Sequence, residues 1–462
     1  MPTIARKLRI MSQRFYIETW GCQMNELDTQ RMAGQLMQQG MLPTVDAADA
    51  DVILLNSCSV REKAEHKAYS RLGEYRRLKR ENDRLKIGFC GCVAEQEGRR
   101  ALSRVAELDF VLGTGRIGEM SRVLEECRRT GRRMVATGFP DDRHYDIDTI
   151  SREGQYKGMV TVIEGCNKRC TFCIVPATRG AERCRPLAQV LAEVRHLVAL
   201  GFVEIELLGQ TVNHWSEQAV AGHDGEDGEA LDFADLLDAV ATLPGVRRLR
   251  FVTSYPRDFT PRMVEAFARH TNLCPSLHLP VQSGSDAVLR RMGRGYEIDS
   301  YFELVDRLRA VRPEIALSTD LIVGFPGETE EDFEATVELV RRVRFASLFA
   351  FKYSPRPGTP ALRLRDAQVA GEVADDRLQR LFAVQSPIQR ALNEELVGKE
   401  RELLVTGWSK QRGYLSGRTG CHRIAHFAVD AEPGVAVPRP GSLVDVRITR
   451  AHDHSLLAER VA

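Results

Sequence analysis

The sequence predicts an α/β protein with an N-terminal open parallel-sheet domain, a central partial (β/α)6 barrel and a small C-terminal all-β barrel. Strand-like and helical runs alternate over residues 15–130, and about six further strands, most followed by helices, lie between 159 and 353. After residue 400 the chain changes to short apolar strands separated by Gly turns. At roughly 150 residues per domain, 462 residues agree with three domains, which we place at 13–140, 150–390 and 394–462.

The N-terminal domain places three thiols at the ends of strands. Its predicted strands are 15–20, 51–56, 86–89 and 110–113, and its predicted helices are 25–39, 61–84 and 120–129. Cys22, Cys58 and Cys92 each follow a strand, and ligands of open parallel sheets bind beyond the carboxyl ends of strands. We therefore expect these thiols to meet. Cys90 competes with Cys92 for the third position, and the alternative is three unrelated core or loop thiols. The acidic stretch 140–151 is predicted to be a linker.

A second group of three thiols forms a C-x3-C-x2-C run, Cys166, Cys170 and Cys173, directly after the strand 159–163. Gly165 allows the backbone to curl so that the sulfurs converge. Converging thiolates favour zinc or an iron–sulfur cluster, but a closed zinc site needs a fourth ligand and none lies at finger spacing. A cubane cluster can take three cysteines and leave one iron open to a small molecule. The alternative is three unrelated buried thiols.

The C-terminal barrel has a composition suited to RNA. Its predicted strands are 402–406, 414–416, 424–427 and 443–449. Basic and aromatic side chains that interleave there can contact phosphates and stack on bases; they are Lys410, Arg412, Arg418, Arg423, Arg447 and Arg450 with Trp408, Tyr414 and Phe427. The alternative is an ordinary solvated surface over core aromatics. Cys421 and His422 are expected to be structural.

The bulk composition limits the class of protein. With a formal net charge of +1, any nucleic-acid contact must come from local basic patches. An odd count of 11 Cys without a secretory signal indicates a reduced cytosol and metal ligation. No apolar run reaches the ~18 residues of a membrane span. Arg6, Lys7 and Arg9 form a short basic targeting arm, or else translation starts at Met11. Residues 216–230 are predicted to be a mobile surface insertion.

The second triplet, with Phe172 before its last Cys, resembles the radical S-adenosylmethionine enzymes, and more of the chain resembles their methylthiotransferase branch. The likeness runs from about Phe15 to the end of the chain. Its motifs are Gly21-Cys22-Gln23-Met24-Asn25, Asn56-Ser57-Cys58, Gly91-Cys92, Glu164 to Pro176, Arg179-Gly180, Leu207-Leu208-Gly209-Gln210, His278 to Ser285, Ile322 to Thr329 and Tyr353-Ser354-Pro355-Arg356. The first and sixth of these are similar to the MiaB-like, tRNA-modifying members.

The resemblance implies a fold, two clusters and a reaction. The domains would be a methylthiotransferase domain, a radical barrel and a TRAM domain. One [4Fe–4S] cluster would be held by Cys22, Cys58 and Cys92, and the other by Cys166, Cys170 and Cys173. Two S-adenosylmethionine molecules would supply a methyl group and a 5′-deoxyadenosyl radical. The substrate would be N6-isopentenyladenosine (the N6-dimethylallyl compound) at position 37 of tRNA, converted at C2 to its 2-methylthio derivative.

The resemblance also sets expectations for the pocket and for partners. Residues at strand ends where S-adenosylmethionine should sit are cofactor-pocket candidates, with plain turn residues as the alternative; they are Gly209, Gln210, Ser254, Gln282 and Gly324. No catalytic residue beyond the cluster ligands is expected, because neither step needs an acid–base pair. The expected partners are the tRNA anticodon loop and an electron donor such as flavodoxin or ferredoxin. The protein is expected to be a cytoplasmic monomer that does not bind a membrane.

Two departures and two rival functions remain at this point. Thr211 stands where MiaB-like sequences usually carry Asn, and Cys184 stands where Ser is common. The close rival is the same chemistry on another target, either threonylcarbamoyladenosine in tRNA or a ribosomal protein. The rival of another class is a non-catalytic RNA-binding protein stapled by metal.

Overall fold

A computed structural model describes residues 13–59, 62–141, 147, 150–152, 156–218, 230–429 and 436–461, with the backbone alone at 62–64, 66, 365 and 366. They form two compact units, which we call unit 1 and unit 2. Unit 1 runs to Glu153 and adds Glu164–Lys168 and Ile174–Arg183, and unit 2 holds the rest. The basic residues at 6–9, much of the predicted linker and most of the predicted insertion lie outside the described residues.

Unit 1 is built on a six-stranded parallel sheet of order β2-β1-β3-β4-β5-β6. Its strands are β1 Arg14–Trp20, β2 Leu42–Pro43, β3 Val52–Ser57, β4 Lys86–Gly91, β5 Phe110–Leu112 and β6 Met134–Ala136. The open parallel sheet predicted from the sequence is confirmed. The sequence pattern missed β2 and β6, because edge strands of two and three residues are too short to show a period.

Helices cover both faces of this sheet. They are α1 Gln23–Gln38, α2 Glu62–Glu81, α3 Cys92–Glu97, α4 Arg99–Arg104 and α5 Met120–Thr130. Apolar residues of α1 and α5, such as Leu36 and Leu124, share one core, and Leu72 and Tyr75 of α2 belong to the other. Every residue of β3 is buried as a result. That double coverage explains why β3 reads as a continuous apolar run.

The central part of unit 2 is a partial barrel of six parallel strands, as the sequence predicted. It consists of two three-stranded halves, β7-β10-β11 and β12-β13-β14, joined by a backbone bridge between Leu249 and Leu273. The strands are β7 Gly158–Thr161, β10 Glu204–Leu208, β11 Arg248–Phe251, β12 Ser276–His278, β13 Ala316–Val323 and β14 Ser347–Lys352. The short strands β8 Ile163–Glu164 and β9 Arg183–Cys184 pair with each other.

Helices alternate with the barrel strands. The first, α6 Val175–Arg179, belongs to unit 1. The helices of unit 2 are α7 Leu187–Ala199, α8 Phe233–Ala241, α9 Pro261–Arg269, α10 Asp286–Met292, α11 Ile298–Val311, α12 Glu330–Val343 and α13 Gly371–Glu394. Leu317 and Leu321 of β13 pack in one core with Leu308 of α11 and Phe333 of α12. The opposite face of the strands therefore points into the barrel. No described helix is long and apolar enough to cross a membrane.

The C-terminal part of unit 2 is a closed barrel of order β15-β16-β17-β19-β18. Its strands are β15 Glu400–Trp408, β16 Tyr414–Thr419, β17 Ile424–Ala428, β18 Leu443–Ala451 and β19 Leu456–Arg460. The predicted small β barrel is confirmed with one more strand, β19, whose sequence Leu-Leu-Ala-Glu-Arg shows no strand-like alternation. Two residues assigned to the basic and aromatic surface lie elsewhere: Phe427 is in the core, and Arg423 donates to the backbone oxygen of Ala346.

Candidate metal centres and cofactor pocket

The first thiol triplet comes together at the carboxyl edge of the unit 1 sheet. Cys22 precedes α1, Cys58 follows β3, and Cys92 is the first residue of α3. The Cys58 thiol forms hydrogen bonds with the thiols of both Cys22 and Cys92. Cys90 is fully buried within β4 among core side chains, so it is Cys92 that meets the other two. Among the described residues, no three Cys, His, Asp or Glu side chains lie in an arrangement that could hold a single metal ion.

Two buried amides fix the loops that carry these thiols. Asn25 Nδ2 donates to Asn56 Oδ1 (3.1 Å), and Asn56 Nδ2 donates to the backbone oxygen of Asn25 (2.8 Å). The Cys22 thiol donates to Asn25 Oδ1 at 3.4 Å, and the Cys58 backbone N–H donates to the oxygen of Trp20 at 2.9 Å. The sequence identified Asn25 and Asn56 only as members of motifs, without a role for their side chains. Their side chains hold the two cysteine loops together.

A buried arginine lies beside the same thiols. Arg179 ends α6, and its Nη2 lies 2.8 Å from Asp28 Oδ2 of α1, with both side chains almost fully buried. The hydrogen bond with Cys58 and the Arg179 charge together lower the pKa of Cys22 to about 6, against the opposing effect of burial. The same two causes lower the pKa of Cys92 to about 7. Two of the three thiols are therefore readily ionised, which fits an iron–sulfur cluster because its cysteine ligands bind as thiolates.

The second triplet lies on the loop after β8, and the division between the two units runs through it. Cys166 belongs to unit 1, and Cys170 and Cys173 belong to unit 2. The Cys166 N–H donates to Gly180 O at 3.1 Å. Gly165 before it has φ +73°, and a Cβ there would collide with the oxygen of Ala181. The glycine that the sequence assigned to this bend is therefore required by both conformation and space.

Within unit 2, contacts of Thr171 and Phe172 hold the loop segment that carries the last two cysteines. Thr171 N–H donates to Met292 O at 2.9 Å, and Ala361 N–H donates to Thr171 O at 2.9 Å. The Phe172 ring packs edge-on against Phe325 with centroids 6.4 Å apart. The aromatic residue before the last cysteine therefore anchors the loop on the barrel through its ring.

Arg294 is a site residue that sequence reasoning missed. Its buried guanidinium donates to Cys170 Sγ (3.5 Å) through Nη1 and to Pro280 O (2.7 Å) through Nη2, and it stacks 4.4 Å from the Tyr255 ring. The hydrogen bond from this cation holds the Cys170 sulfur in place on the barrel. The sequence contained one signal for this residue, its position between Gly293 and Gly295. A glycine on each side of a charged residue indicates that the backbone there approaches other atoms closely.

The five cofactor-pocket candidates divide into two kinds. Gln210 Oε1 and Ser254 Oγ are buried, and neither finds a hydrogen-bond partner within the described part of the chain. Gln282 has φ 79° and Gly324 has φ 68°, and the Gly324 N–H already donates to Glu328 at 2.6 Å. A Cβ at Gly209 would collide with Ile163, which gives that glycine a packing reason of its own. Gln210 and Ser254 are thus the two candidates whose buried oxygens could form a hydrogen bond with a polar ligand.

The C-terminal barrel carries a groove of about 680 Å³. Trp408, Lys410, Arg418 and His426 line it, and the Trp408 side chain is 66% exposed. An exposed indole beside cations suits base stacking with phosphate contacts. Of the residues predicted to form the basic and aromatic surface, Trp408, Lys410 and Arg418 line this groove.

Two known families match the parts of the chain that carry the two cysteine triplets. Residues 14–113 match the family described as "Uncharacterized protein family UPF0004", and residues 160–340 match the "Radical SAM superfamily". The "tRNA-2-methylthio-N(6)-dimethylallyladenosine synthase" of Polynucleobacter asymbioticus is 42% identical over 97% of this chain and 99% of its own length. The protein of the same name from Ralstonia nicotianae is 43% identical over 97% of this chain and 98% of its own.

A solved structure shares the fold. The radical S-adenosylmethionine methyltransferase TsrM from Kitasatospora setae, with cobalamin and a [4Fe-4S] cluster bound, superposes with a TM-score of 0.53. The alignment covers 88% of this chain and 81% of that one at 14% identity, which is a likeness of fold alone. The partial barrel with its cysteine loop is that of a radical S-adenosylmethionine protein. The chain belongs to the MiaB-like methylthiotransferase family.

Proposed function

We propose that the protein methylthiolates C2 of N6-dimethylallyladenosine at position 37 of tRNA, as a cytoplasmic enzyme that uses two [4Fe–4S] clusters and S-adenosylmethionine. The observation that carries the proposal is the meeting of Cys22, Cys58 and Cys92 in a protein that also has the C-x3-C-x2-C loop. One triplet suffices to generate a radical. A second triplet is what a sulfur-inserting enzyme needs in addition.

Each cluster has its own set of residues in this proposal. Cys22, Cys58 and Cys92 hold one, and Cys166, Cys170 and Cys173 hold the other. When bound, one cluster would supply the one-electron reduction and the other would hold the sulfur to be transferred. The protein's own contribution is to favour ionised thiols in the first triplet and to hold the loops in register. The buried charge of Arg179 does the first for Cys22 and Cys92. The Asn25–Asn56 pair and the hydrogen bond from Arg294 to Cys170 Sγ do the second.

Gln210 and Ser254 are the proposed polar contacts for S-adenosylmethionine, since their buried oxygens lack partners among the described residues. Gly209, Gln282 and Gly324 shape the backbone of the same strand ends. The Trp408 groove is the proposed contact for the tRNA, through stacking and phosphate contacts. Flavodoxin or ferredoxin as electron donor, and a monomeric state, complete the proposal.

Anaerobic reconstitution of the full chain tests the two triplets. Wild type should take up about eight irons, four for each cubane, and should cleave S-adenosylmethionine. Replacing Cys166, Cys170 and Cys173 by Ala should abolish cleavage. Replacing Cys22, Cys58 and Cys92 should halve the iron, spare some cleavage and stop sulfur insertion. Cys127→Ala removes a core thiol outside both triplets and serves as the control. Zinc uptake without cleavage would instead favour a metal-stapled RNA-binding protein.

The nucleoside profile of tRNA tests the substrate. Deleting the gene should remove 2-methylthio-N6-dimethylallyladenosine and leave the N6-dimethylallyl precursor, and plasmid expression should restore the product. Persistence of the product in a strain with no second enzyme of this kind would overturn the assignment. Loss of a 2-methylthio-threonylcarbamoyl nucleoside, or of a ribosomal-protein modification, would point to the rival targets.

A further inference from the structure

The inner face of the central barrel is polar, and its first half is closed. Charged side chains of β10 and β11 there are almost fully buried and paired. Glu204 lies 3.1 Å from Arg250 and 3.6 Å from Arg248, and Glu206 pairs with Lys157. Arg250 also donates to the backbone oxygen of Thr419 at 2.9 Å. These charged groups are therefore held by one another in buried ion pairs.

The second half of the barrel presents accessible side chains on the same face. Strand register places Asp320 of β13 directly opposite Phe349 of β14, and His278 of β12 opposite Ser318 of β13. The side chains of His278 and Asp320 are 20% and 33% exposed, and Phe349 is 45% exposed. The edge of the His278 ring packs against Phe349, with centroids 6.0 Å apart. An accessible phenylalanine on an inward face is unusual unless something covers it.

The hydrogen bonds among these residues leave one acceptor open. His278 Nε2 lies 3.3 Å from Asp320 Oδ2, and Nδ1 lies 3.0 Å from Ser318 Oγ. A carboxylate only accepts, so Nε2 carries the proton and Nδ1 accepts from the Ser318 hydroxyl. Asp320 is thereby oriented, and its Oδ1 has no partner in the described parts of the chain. The face thus offers a fixed acceptor beside an uncovered aromatic ring.

We propose that this face binds the N6-substituted adenine, with Asp320 accepting the N6–H and Phe349 packing against the group that N6 carries. The inference rests on the proposed function and adds the site of substrate recognition. The N–H and the dimethylallyl group leave the same nitrogen, and Asp320 and Phe349 are a cross-strand pair with Cβ atoms about 5 Å apart. One side of N6 can therefore meet the carboxylate and the other the ring. Anchoring at N6 leaves C2 of the base free.

The same pair selects against the rival tRNA substrate. A threonylcarbamoyl group carries a carboxylate, which at this position would face the Asp320 charge and an apolar ring. Like charges at close range in a partly enclosed site are unfavourable. A dimethylallyl group brings only methyl and methylene carbons to Phe349, and these gain from burial.

Binding of anticodon stem-loops to the full chain, measured anaerobically, tests the inference. Three stem-loops carry at position 37 plain adenosine, N6-dimethylallyladenosine or N6-threonylcarbamoyladenosine. Wild type should prefer the dimethylallyl stem-loop over the plain one by about tenfold or more. Phe349→Ala should reduce that ratio to near one with little change for plain adenosine, and Phe349→Leu should keep part of it. Asp320→Ala should weaken binding of both by about tenfold and lessen the rejection of the threonylcarbamoyl stem-loop.

Matched controls are Phe382→Ala and Asp306→Asn, which alter exposed residues of α13 and α11 and should change no ratio. Retained cleavage of S-adenosylmethionine without RNA shows that a variant is folded. If wild type fails to methylthiolate dimethylallyl-tRNA, the proposed function fails. If wild type succeeds, folded Phe349→Ala keeps the wild-type preference for the dimethylallyl stem-loop and folded Asp320→Ala binds all three stem-loops as tightly as wild type, this inference alone is overturned.

Discussion

Gly91 turns the chain from β4 into α3 immediately before Cys92. Its φ is +90°, a region that residues with a side chain rarely adopt. A Cβ there would collide with Asn56 Oδ1 and would lie 2.7 Å from the backbone oxygen of Ser57. Asn56 is the amide that ties the Cys22 and Cys58 loops together. One residue without a side chain thus sets the alignment of all three thiols.

Gly91→Ala should therefore lose the first cluster and spare the second. The added methyl group must displace the Asn56 amide, so we expect iron in the reconstituted protein to fall to about half, with cleavage of S-adenosylmethionine retained. Gly73→Ala is the control, because Gly73 lies within α2 with nothing near its missing Cβ. That change should stabilise the helix by about 0.5–1 kcal/mol. Full iron content in Gly91→Ala would contradict the prediction.

At the scale of elements, a short helix from later in the chain completes the first site. Helix α6 is Val175–Arg179, more than eighty residues beyond Cys92, and it belongs to unit 1. Its last residue brings the guanidinium that pairs with Asp28 and lowers the pKa of Cys22 and Cys92. The charge that favours the thiolates therefore comes from the segment directly after the second triplet.

The cluster-free protein should show this charge in its thiol reactivity. Cys22 is exposed and its pKa is lowered to about 6. Its alkylation rate should therefore rise with pH along a titration curve whose midpoint lies near pH 6. The thiolate is the reactive form, and it increases as pH rises through the pKa. Arg179→Met should move the midpoint upward by removing the cation. Peptide mass spectrometry after iodoacetamide labelling measures this, and Arg31→Met, which alters the other arginine next to Asp28, is the control. An unchanged midpoint in Arg179→Met would contradict the role assigned to the charge.

At the scale of the whole molecule, the chain for which the sequence predicted three domains forms two compact units. The C-terminal barrel belongs with the central barrel, and buried arginines of β11 connect them. Arg248 donates to Arg418 O at 3.0 Å and to Glu402 O at 3.2 Å, and Arg250 donates to Thr419 O at 2.9 Å. Because these cations are buried, their carbonyl partners are needed to offset the loss of water. The two barrels should therefore unfold together.

Arg250→Ala should destabilise unit 2 strongly. It leaves Glu204 buried with a weaker partner, and removing one member of a buried pair costs about 3–5 kcal/mol. Arg247→Ala removes a neighbour whose pair with Glu402, 3.3 Å apart, is largely exposed, and it should cost less than about 1 kcal/mol. Urea unfolding followed by hydrogen exchange in β13 and β18 measures both. Equal effects of the two variants, or separate unfolding of β13 and β18 in wild type, would contradict the connection.

Much of the fold could be predicted because it depends on local pattern. The alternation of β1, β3, β4 and β5 with helices, and the six barrel strands, left clear periods in the chain. The edge strands β2 and β6, with two and three residues, did not, and neither did the closing strand β19, whose sequence Leu-Leu-Ala-Glu-Arg does not alternate between apolar and polar residues. Likewise, interleaved aromatics and cations suggested a surface, and only packing shows that Phe427 is core and that Arg423 is tied to Ala346.

Read without a structure, the chain already indicated the kind of chemistry: two thiol triplets at predicted strand ends, one of them with a spacing that predicts a cluster with an open iron. Thiol spacing is a local property, and it is legible without a structure. The tertiary structure decided which long-range partners act on those thiols and on the barrel face. Arg179 forms an ion pair with Asp28, which lies far from it in sequence, and Arg294 donates a hydrogen bond to Cys170. Asp320 lies opposite Phe349 because of the register between their strands. Such charges and cross-strand pairs depend on distances that chain order does not encode, so they appear only once the strands and helices are packed.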